Sequence, residues 1–454
     1  MPVGHGSDRQ QRWSVLLDAW RTQLWPLPAA GIALAIGLGV ALPRLDAAVA
    51  GRLPATFTAY LFSGGPEAAR TVLSVIAGSL ITVTSLTFSL TVVTLQLASS
   101  QFSPRLLRTF TQDRFVHASL AMLLATFTYA VTVLRTVRAS LDSQAAFVPQ
   151  MSVTVAYLLG LSSVLVLVLF LAHLARQIRV ESMMRAVHTE SNATMRRMLA
   201  DGTDREPQPP VPPPTAVQLC AAASGFLTSV DEPALLAAAV DANAVVLLDR
   251  LPGDSIIAGT PIATAWTFDG GSALEKPVVE ALAPRVAAGV RVGFERTAAQ
   301  DVAFGLRQLV DVAVKALSPG INDPTTAIHA LGHVAALLCE AVGHDLGPRV
   351  LCDEAGRARV VLQRPDLAIL LELAVAQPRR YGCADPDVLV RLLTLLREVA
   401  WHTRTGAQRS AVEEQLQRTR ATIAEQSFDD AERSRLDTLA RTVPAALVRQ
   451  WLAS

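Results

Sequence analysis

TVLSVIAGSLITVTSLTFSLTVVTLQLASSQFSP, residues 71–104, passes 34 positions without a charged side chain. As a helix it would extend roughly 50 Å, more than the roughly 30 Å hydrocarbon core of a bilayer. Its apolar frame of Val, Leu, Ile and Phe carries many hydroxyls: Thr71, Ser74, Ser79, Thr82, Thr84, Ser85, Thr87, Ser89, Thr91 and Thr94. A helix bathed in lipid gains nothing from them. The stretch therefore predicts a membrane helix facing protein, water or both, and any membrane function centres on it.

Working outward, segments at about 27–50, 116–137 and 152–175 join 71–98 as spans, each long enough for a bilayer crossing. Before the first, Trp13, Leu16, Leu17, Trp20 and Leu24 recur at helical spacing, which predicts an amphipathic interfacial helix over 1–25. Arginines set the orientation. Arg9, Arg12 and Arg21 precede the first span, Arg105, Arg108 and Arg114 lie between the second and third, and Arg176, Arg179, Arg185, Arg196 and Arg197 follow the fourth. Both termini are thus expected in the cytoplasm. No cleavable secretory signal is visible at the start. Arginine almost entirely replaces lysine, with only Lys276 and Lys315 present, as genomic GC bias in a bacterium would give. The expected location is the bacterial inner membrane.

After the spans the composition relaxes to a globular mix. The sequence predicts a four-helix transmembrane domain over 26–180 and a basic helix with a Pro-rich linker over 181–217. A small β-rich domain over 218–292 and a helical cytosolic domain over 293–454 complete the expected fold. Pro207, Pro209, Pro210, Pro212, Pro213 and Pro214 stiffen the linker. Residues 243–266 alternate short β-branched runs with Pro252-Gly253-Asp254 and Gly259-Thr260-Pro261, a strand–turn–strand pattern. It resembles the hairpin of biotinyl/lipoyl barrel-sandwich domains, without their modifiable lysine. From about 297 the chain reads as helical: Thr297 with Gln300 as a capping box, Ser318-Pro319-Gly320 as a stop, and Asp323-Pro324 as the next start. Leu389, Leu392, Leu393, Leu396 and Val399 mark a further amphipathic helix.

On a helical wheel Ser74, Gly78, Thr82, Ser85, Ser89, Gln96 and Ser99 share one sector of the second span, and Thr84, Thr87, Thr91 and Thr94 lie on another side. Two readings stand. Small and hydroxyl residues let helices pack closely, or they line an aqueous path. In the second reading Arg105 and Arg108 sit at the cytosolic mouth; in the first they are positive-inside anchors. No acid ring or proton relay stands in the span. His329 and His333 share a helix face, a spacing that can bind zinc, but no third ligand accompanies them, so no metal site and no cofactor are expected. The four cysteines show no CxxC pairing. No nucleophile–base set or phosphate loop is visible, so no catalytic residue is assigned and an enzyme is not expected. A net charge of +1 gives no footprint for nucleic acid.

Two blocks carry a family resemblance: TVTSLTFSLTVVTLQLASSQFSPRLLRTF at 82–110, and ERTAAQDVAFGLRQLVDVAVKALSPGINDPTTA at 295–327. With the PGDxxxxGTP hairpin between them, the chain resembles the bacterial predicted-membrane-protein family called domain of unknown function 2254. The matching positions are Gln96, Ser99, Ser100, Gln101, Ser103, Pro104 and Arg105 in the first block. In the second they are Asp301, Gly305, Arg307, Gln308, Asp311, Ser318, Pro319, Gly320, Asn322, Asp323 and Pro324. The resemblance implies an integral membrane first half and a soluble second half, and carries no established activity. The span holds more threonine than the family pattern leads one to expect. In SPGINDP, a helix end followed by an Asp-Pro start accounts for Gly320, Asp323 and Pro324. Ser318, Asn322 and Thr325, with Asp323 between them, are open to a ligand or subunit contact.

Together these features predict a homo-oligomeric channel or pore-like protein, passing an ion or small solute. The second span would line the path and the cytosolic half would serve assembly or gating. The alternative is a membrane-anchored scaffold or sensor whose cytosolic half binds a partner or small ligand without conduction.

Overall fold

The computed structural model describes residues 25–49, 61–101, 113–138, 147–177, 180–199, 208–270 and 272–452. They divide between two compact units, Met1–Arg179 and Val180–Ser454. The amphipathic segment expected over 1–25 and the mouth arginines Arg105 and Arg108 lie outside the described residues, apart from Trp25.

The first unit is a helical bundle of α1 (Pro26–Val49), α2 (Pro66–Gln101), α3 (Arg114–Leu134) and α4 (Gln150–Gln177). Helix α3 touches the other three. It meets α1 across small residues spaced four apart: Gly31, Ala35 and Gly39 face Ala121, Ala125 and Thr132. A Cβ on Gly39 would lie 2.8 Å from the Cβ of Thr132, so these backbones approach as close as glycine allows. Gly39→Leu is expected to cost about 1–3 kcal/mol by overpacking, read as a lower melting temperature in detergent. Gly37→Leu, at a position where an added Cβ meets nothing within 4 Å, should leave it unchanged.

Polar side chains tie both ends of this bundle. At one end the buried Asp46 of α1 accepts hydrogen bonds from the Met151 N–H (3.0 Å), the Ser152 N–H (3.0 Å) and the Ser152 hydroxyl (2.6 Å). An acid on one helix thus caps the N-terminus of another, where backbone donors and the helix dipole favour a negative charge. The Tyr129 hydroxyl donates to the Ser152 carbonyl and Arg70 donates to that of Val137. At the opposite end of α3, Asp113 caps the helix through the Phe115 N–H and pairs with His173 of α4 at 2.6 Å. Helices α3 and α4 therefore run antiparallel.

The second unit opens with α5 (Val180–Met198), the expected basic helix. It packs inside this unit against α8 (Phe304–Ala316) and α9 (Pro324–Val342). A five-stranded sheet follows the order β1 (Val217–Cys220), β5 (Pro261–Thr267), β3 (Ala244–Leu248), β8 (Ala358–Leu362), β7 (Arg349–Cys352). All its pairs are antiparallel except β3–β8, which is parallel. A smaller sheet orders β4 (Ser255–Ile256), β2 (Gly225–Val230) and β6 (Val290–Gly293). Helices α6 (Glu232–Asp241) and α7 (Lys276–Gly289) bury Leu235, Ala238, Leu282 and Val286 in the same core as both sheets.

This differs from the expectation in three places. The β-rich region does not close over 218–292, because its sheet recruits β7 and β8 from the stretch read as helical. The PGDxxxxGTP segment does not fold as one hairpin of a barrel-sandwich: β4 joins the smaller sheet while β5 pairs with β1 and β3. Thr297 and Gln300 form no capping box. Helix α8 begins at Phe304, and the Gln300 amide instead accepts from the Val230 N–H (2.8 Å) and donates to its carbonyl (3.1 Å), as a neighbouring strand would.

The remaining helices are α10 (Leu367–Tyr381), α11 (Pro386–His402), α12 (Gly406–Ala424) and α13 (Asp430–Leu447). As expected, α9 starts with Asp323 as N-cap and Pro324 in its first turn, and α11 buries Leu389, Leu392, Leu393, Leu396 and Val399. Among the described residues, five helices are long and apolar enough to cross a membrane: α1, residues Pro66–Gln96 of α2, α3, Gln150–Arg176 of α4, and α9. Helix α9 differs in setting, since α5, α8, α10 and α11 pack around it and bury Leu331, Val334, Leu337 and Leu338 completely.

Candidate functional site

The two hydroxyl stripes of α2 part company. Thr84, Thr87, Thr91 and Thr94 are buried within the first unit, and each hydroxyl donates to the carbonyl four residues earlier, at 2.7–2.8 Å. They are dry packing groups whose polarity the helix itself absorbs. Ser74, Gly78, Thr82, Ser85, Ser89 and Gln96 are all exposed, and a Cβ on Gly78 would meet open space. Ser99 follows in the same helix. Ile81, Phe88 and Val92 are exposed on the same side. The stripe is therefore turned outward from its own bundle, with apolar residues interleaved.

The second unit holds a cleft of about 730 Å³. Its walls come from the turn after β3, the 296–307 segment, the chain after β8, and one face each of α10 and α12. Sequence reading had no route to it, since these pieces are far apart in the chain. At its edge Arg296 grips the buried Asp301 through Nε (3.1 Å) and a terminal nitrogen (2.5 Å), while the other carboxylate oxygen accepts from the Ala303 N–H. Burial pushes the Asp301 carboxyl above the usual carboxylate range, against the pull of Arg296. Gly253, at φ +96°, makes room: a Cβ there would lie 2.1 Å from that carboxylate. Across the cleft Arg418 pairs with Glu372 and holds its carboxyl below the usual range, helped by the Gln415 amide. Asp254 accepts from the Leu251 N–H. Arg250 differs from these. Its buried Nε has no partner, and no ion pair answers its guanidinium among the described residues. Gln415, 3% exposed, has an amide oxygen likewise without a donor.

The family described as "Predicted membrane protein (DUF2254)" matches residues 21–398, which covers the helical bundle and most of the second unit. The chain belongs to this family. Uncharacterised proteins of Mycobacterium bovis and Mycobacterium tuberculosis are each 36% identical to it over 411 residues, spanning 89% of this chain and 77% of theirs. No solved structure matches it.

The second DUF2254 block serves mainly as structure. Gly305 lies where a Cβ would come within 1.5 Å of the Ser191 hydroxyl, which seats α8 on α5. The Ser318 hydroxyl donates to the Lys315 carbonyl, Asn322 occupies the left-handed region at φ 50°, and Asp323 accepts from the N–H and hydroxyl of Thr326. Ser318 and Asn322, which the sequence leaves open to a contact, are thus used by the turn itself. Thr325 is exposed beside it.

His333 of α9 faces His188 of α5, with ring centroids 5.3 Å apart, while His329 is exposed. No group of three metal-ligating side chains occurs among the described residues. Burial, then the charges of His188, Arg185 and His329, lower the His333 pKa from its ordinary 6.5. Folding therefore favours neutral His333, so its contribution to stability is full above 6.5 and lost as pH falls through its lowered folded value. The melting temperature of this DUF2254 protein should fall on acidification through that window, and less steeply in His333→Gln.

Proposed function

We propose that this DUF2254 protein is a homo-oligomeric inner-membrane protein whose copies surround a hydroxyl-lined path for an ion or small solute. In this reading the four helices of the first unit span the bilayer with both termini in the cytoplasm, and α9 belongs to the soluble core. The observation that carries it is the outward turn of Ser74, Gly78, Thr82, Ser85, Ser89 and Gln96 while the threonine stripe is packed away. Facing hydrocarbon, a hydroxyl can bond only its own helix, as Thr82 does with the Gly78 carbonyl (3.2 Å), and an amide would lose its hydrogen bonds. A ring of identical helices would return them to water or to each other. No chemical step enters this reading.

The test is solute flux into liposomes holding the purified chain. Flux should be blocked by Ser85→Trp or Ser89→Trp, and by thiol reagents after Ser85→Cys but not after Thr84→Cys. Absence of flux, or flux indifferent to the tryptophans, overturns it. The cleft of the second unit favours a second reading, a membrane-anchored sensor that binds a small ligand, in which the stripe is a subunit or lipid contact.

A further inference from the structure

We infer that the cleft of the second unit binds an aliphatic organic anion, a carboxylate or phosphate that also carries a hydroxyl or N–H donor. The inference deepens the sensor reading and is independent of conduction. Its volume of about 730 Å³ lies within the roughly 300–1,000 Å³ of small-molecule sites.

The charge argument comes from what the cleft's acids already do. Asp301 is held by Arg296, Glu372 and, more loosely at 3.9 Å, Glu414 by Arg418, and Glu232 by Arg349, which stands outside the cleft, while Asp254 caps its own turn. Arg250 remains, a guanidinium whose buried Nε has no acceptor. A planar fork of donors in partly desolvated surroundings is matched best by a carboxylate or phosphate, through paired charge-assisted bonds. Buried polar atoms are ordinarily bonded, so the orphaned Gln415 oxygen calls for a donor from the same occupant. The lining mixes aliphatic side chains, Leu251, Val302, Ile369 and Leu373 among them, with charged and amide groups, and offers no aromatic ring on which a nucleobase could stack. A chain of methylenes suits it better.

The experiment is calorimetric titration of the full chain in nanodiscs with ω-hydroxy carboxylates from hydroxypropionate to hydroxycaprylate. The matching ω-hydroxyalkyl phosphates, plain caproate, and the cationic aminohexanol complete the set. At least one acid or phosphate should bind, aminohexanol should not, and the hydroxylated acid should bind more tightly than caproate. Arg250→Gln should weaken anion binding at least tenfold, with Arg250→Lys intermediate. Gln415→Leu should remove the advantage of the hydroxyl while leaving caproate binding in place. The proposal is overturned if no member of the acid and phosphate series binds, which would also remove the sensor reading's support. It is equally overturned, with that reading left standing, if aminohexanol binds as well as the anions. A folded Arg250→Gln protein with unchanged anion affinity has the same consequence. Should that variant not fold, the comparison of anion with cation on the unaltered chain still decides.

Discussion

Asp46→Ala is expected to lower the stability of the first unit by about 3 kcal/mol, since each bond to a charged acceptor is worth about 1.5–3 kcal/mol and the three are not additive. The carboxylate is the acceptor for the Met151 and Ser152 N–H groups at the start of α4 and for the Ser152 hydroxyl. Its removal strands those donors in a buried position, and a cap position alone is worth about 0.5–2 kcal/mol. Asp46→Asn keeps two acceptor lone pairs and should lose roughly half as much. Thermal unfolding of the detergent-purified chain, followed by circular dichroism, measures both. A melting temperature in Asp46→Ala equal to the parent's would mean that α4 is positioned by its apolar contacts alone.

Asp301→Ala should cost the second unit about 3 kcal/mol, the low end for breaking a buried ion pair from one side. Asp301 is almost fully buried, whereas Arg296 retains access to water at 24% exposure, so the abandoned arginine relaxes in part. The double change Arg296→Ala with Asp301→Ala should recover some of the loss, and the cycle isolates the pair's coupling. Gly253→Ala attacks the same pair from the other side, through the space its Cβ would claim and through a positive φ. If Asp301→Ala melts with the parent, the pair is not what holds the 296–307 segment against β2.

The long apolar helices were legible because their signal is local. An uncharged run announces itself, and so does the Asp323-Pro324 start of α9. The direction in which the α2 stripes point was legible only as two alternatives, since a wheel shows that two faces exist and not which neighbour covers each. Asp46 escaped notice although an acid closing a Gly/Ala-rich span is rare, because its partners lie more than a hundred residues on, at the start of α4. β7 and β8 were missed for a related reason. Four- and five-residue runs such as RVLC and ARVVL carry too few periods to compete with the helical stretches around them, although the Asp353–Gly356 turn between them was a usable clue. The cleft could not be read at all, because a turn, two connecting segments and two helix faces far apart in the sequence build it.

The parallel pairing of Val246–Leu248 with Val360–Leu362 has a consequence for biosynthesis. A nascent chain that has emerged only through β6 holds β3 with one of its two edges unclaimed, and a bare edge rich in valine and leucine invites pairing with another chain. Closure must wait until the chain has grown from Gly293 to Leu362, 69 further residues, and it joins strands more than a hundred residues apart, a long-range contact of the kind that slows folding. Shortened versions ending near residue 293 should for that reason precipitate, whereas those extending past Leu362 have the missing neighbour in hand.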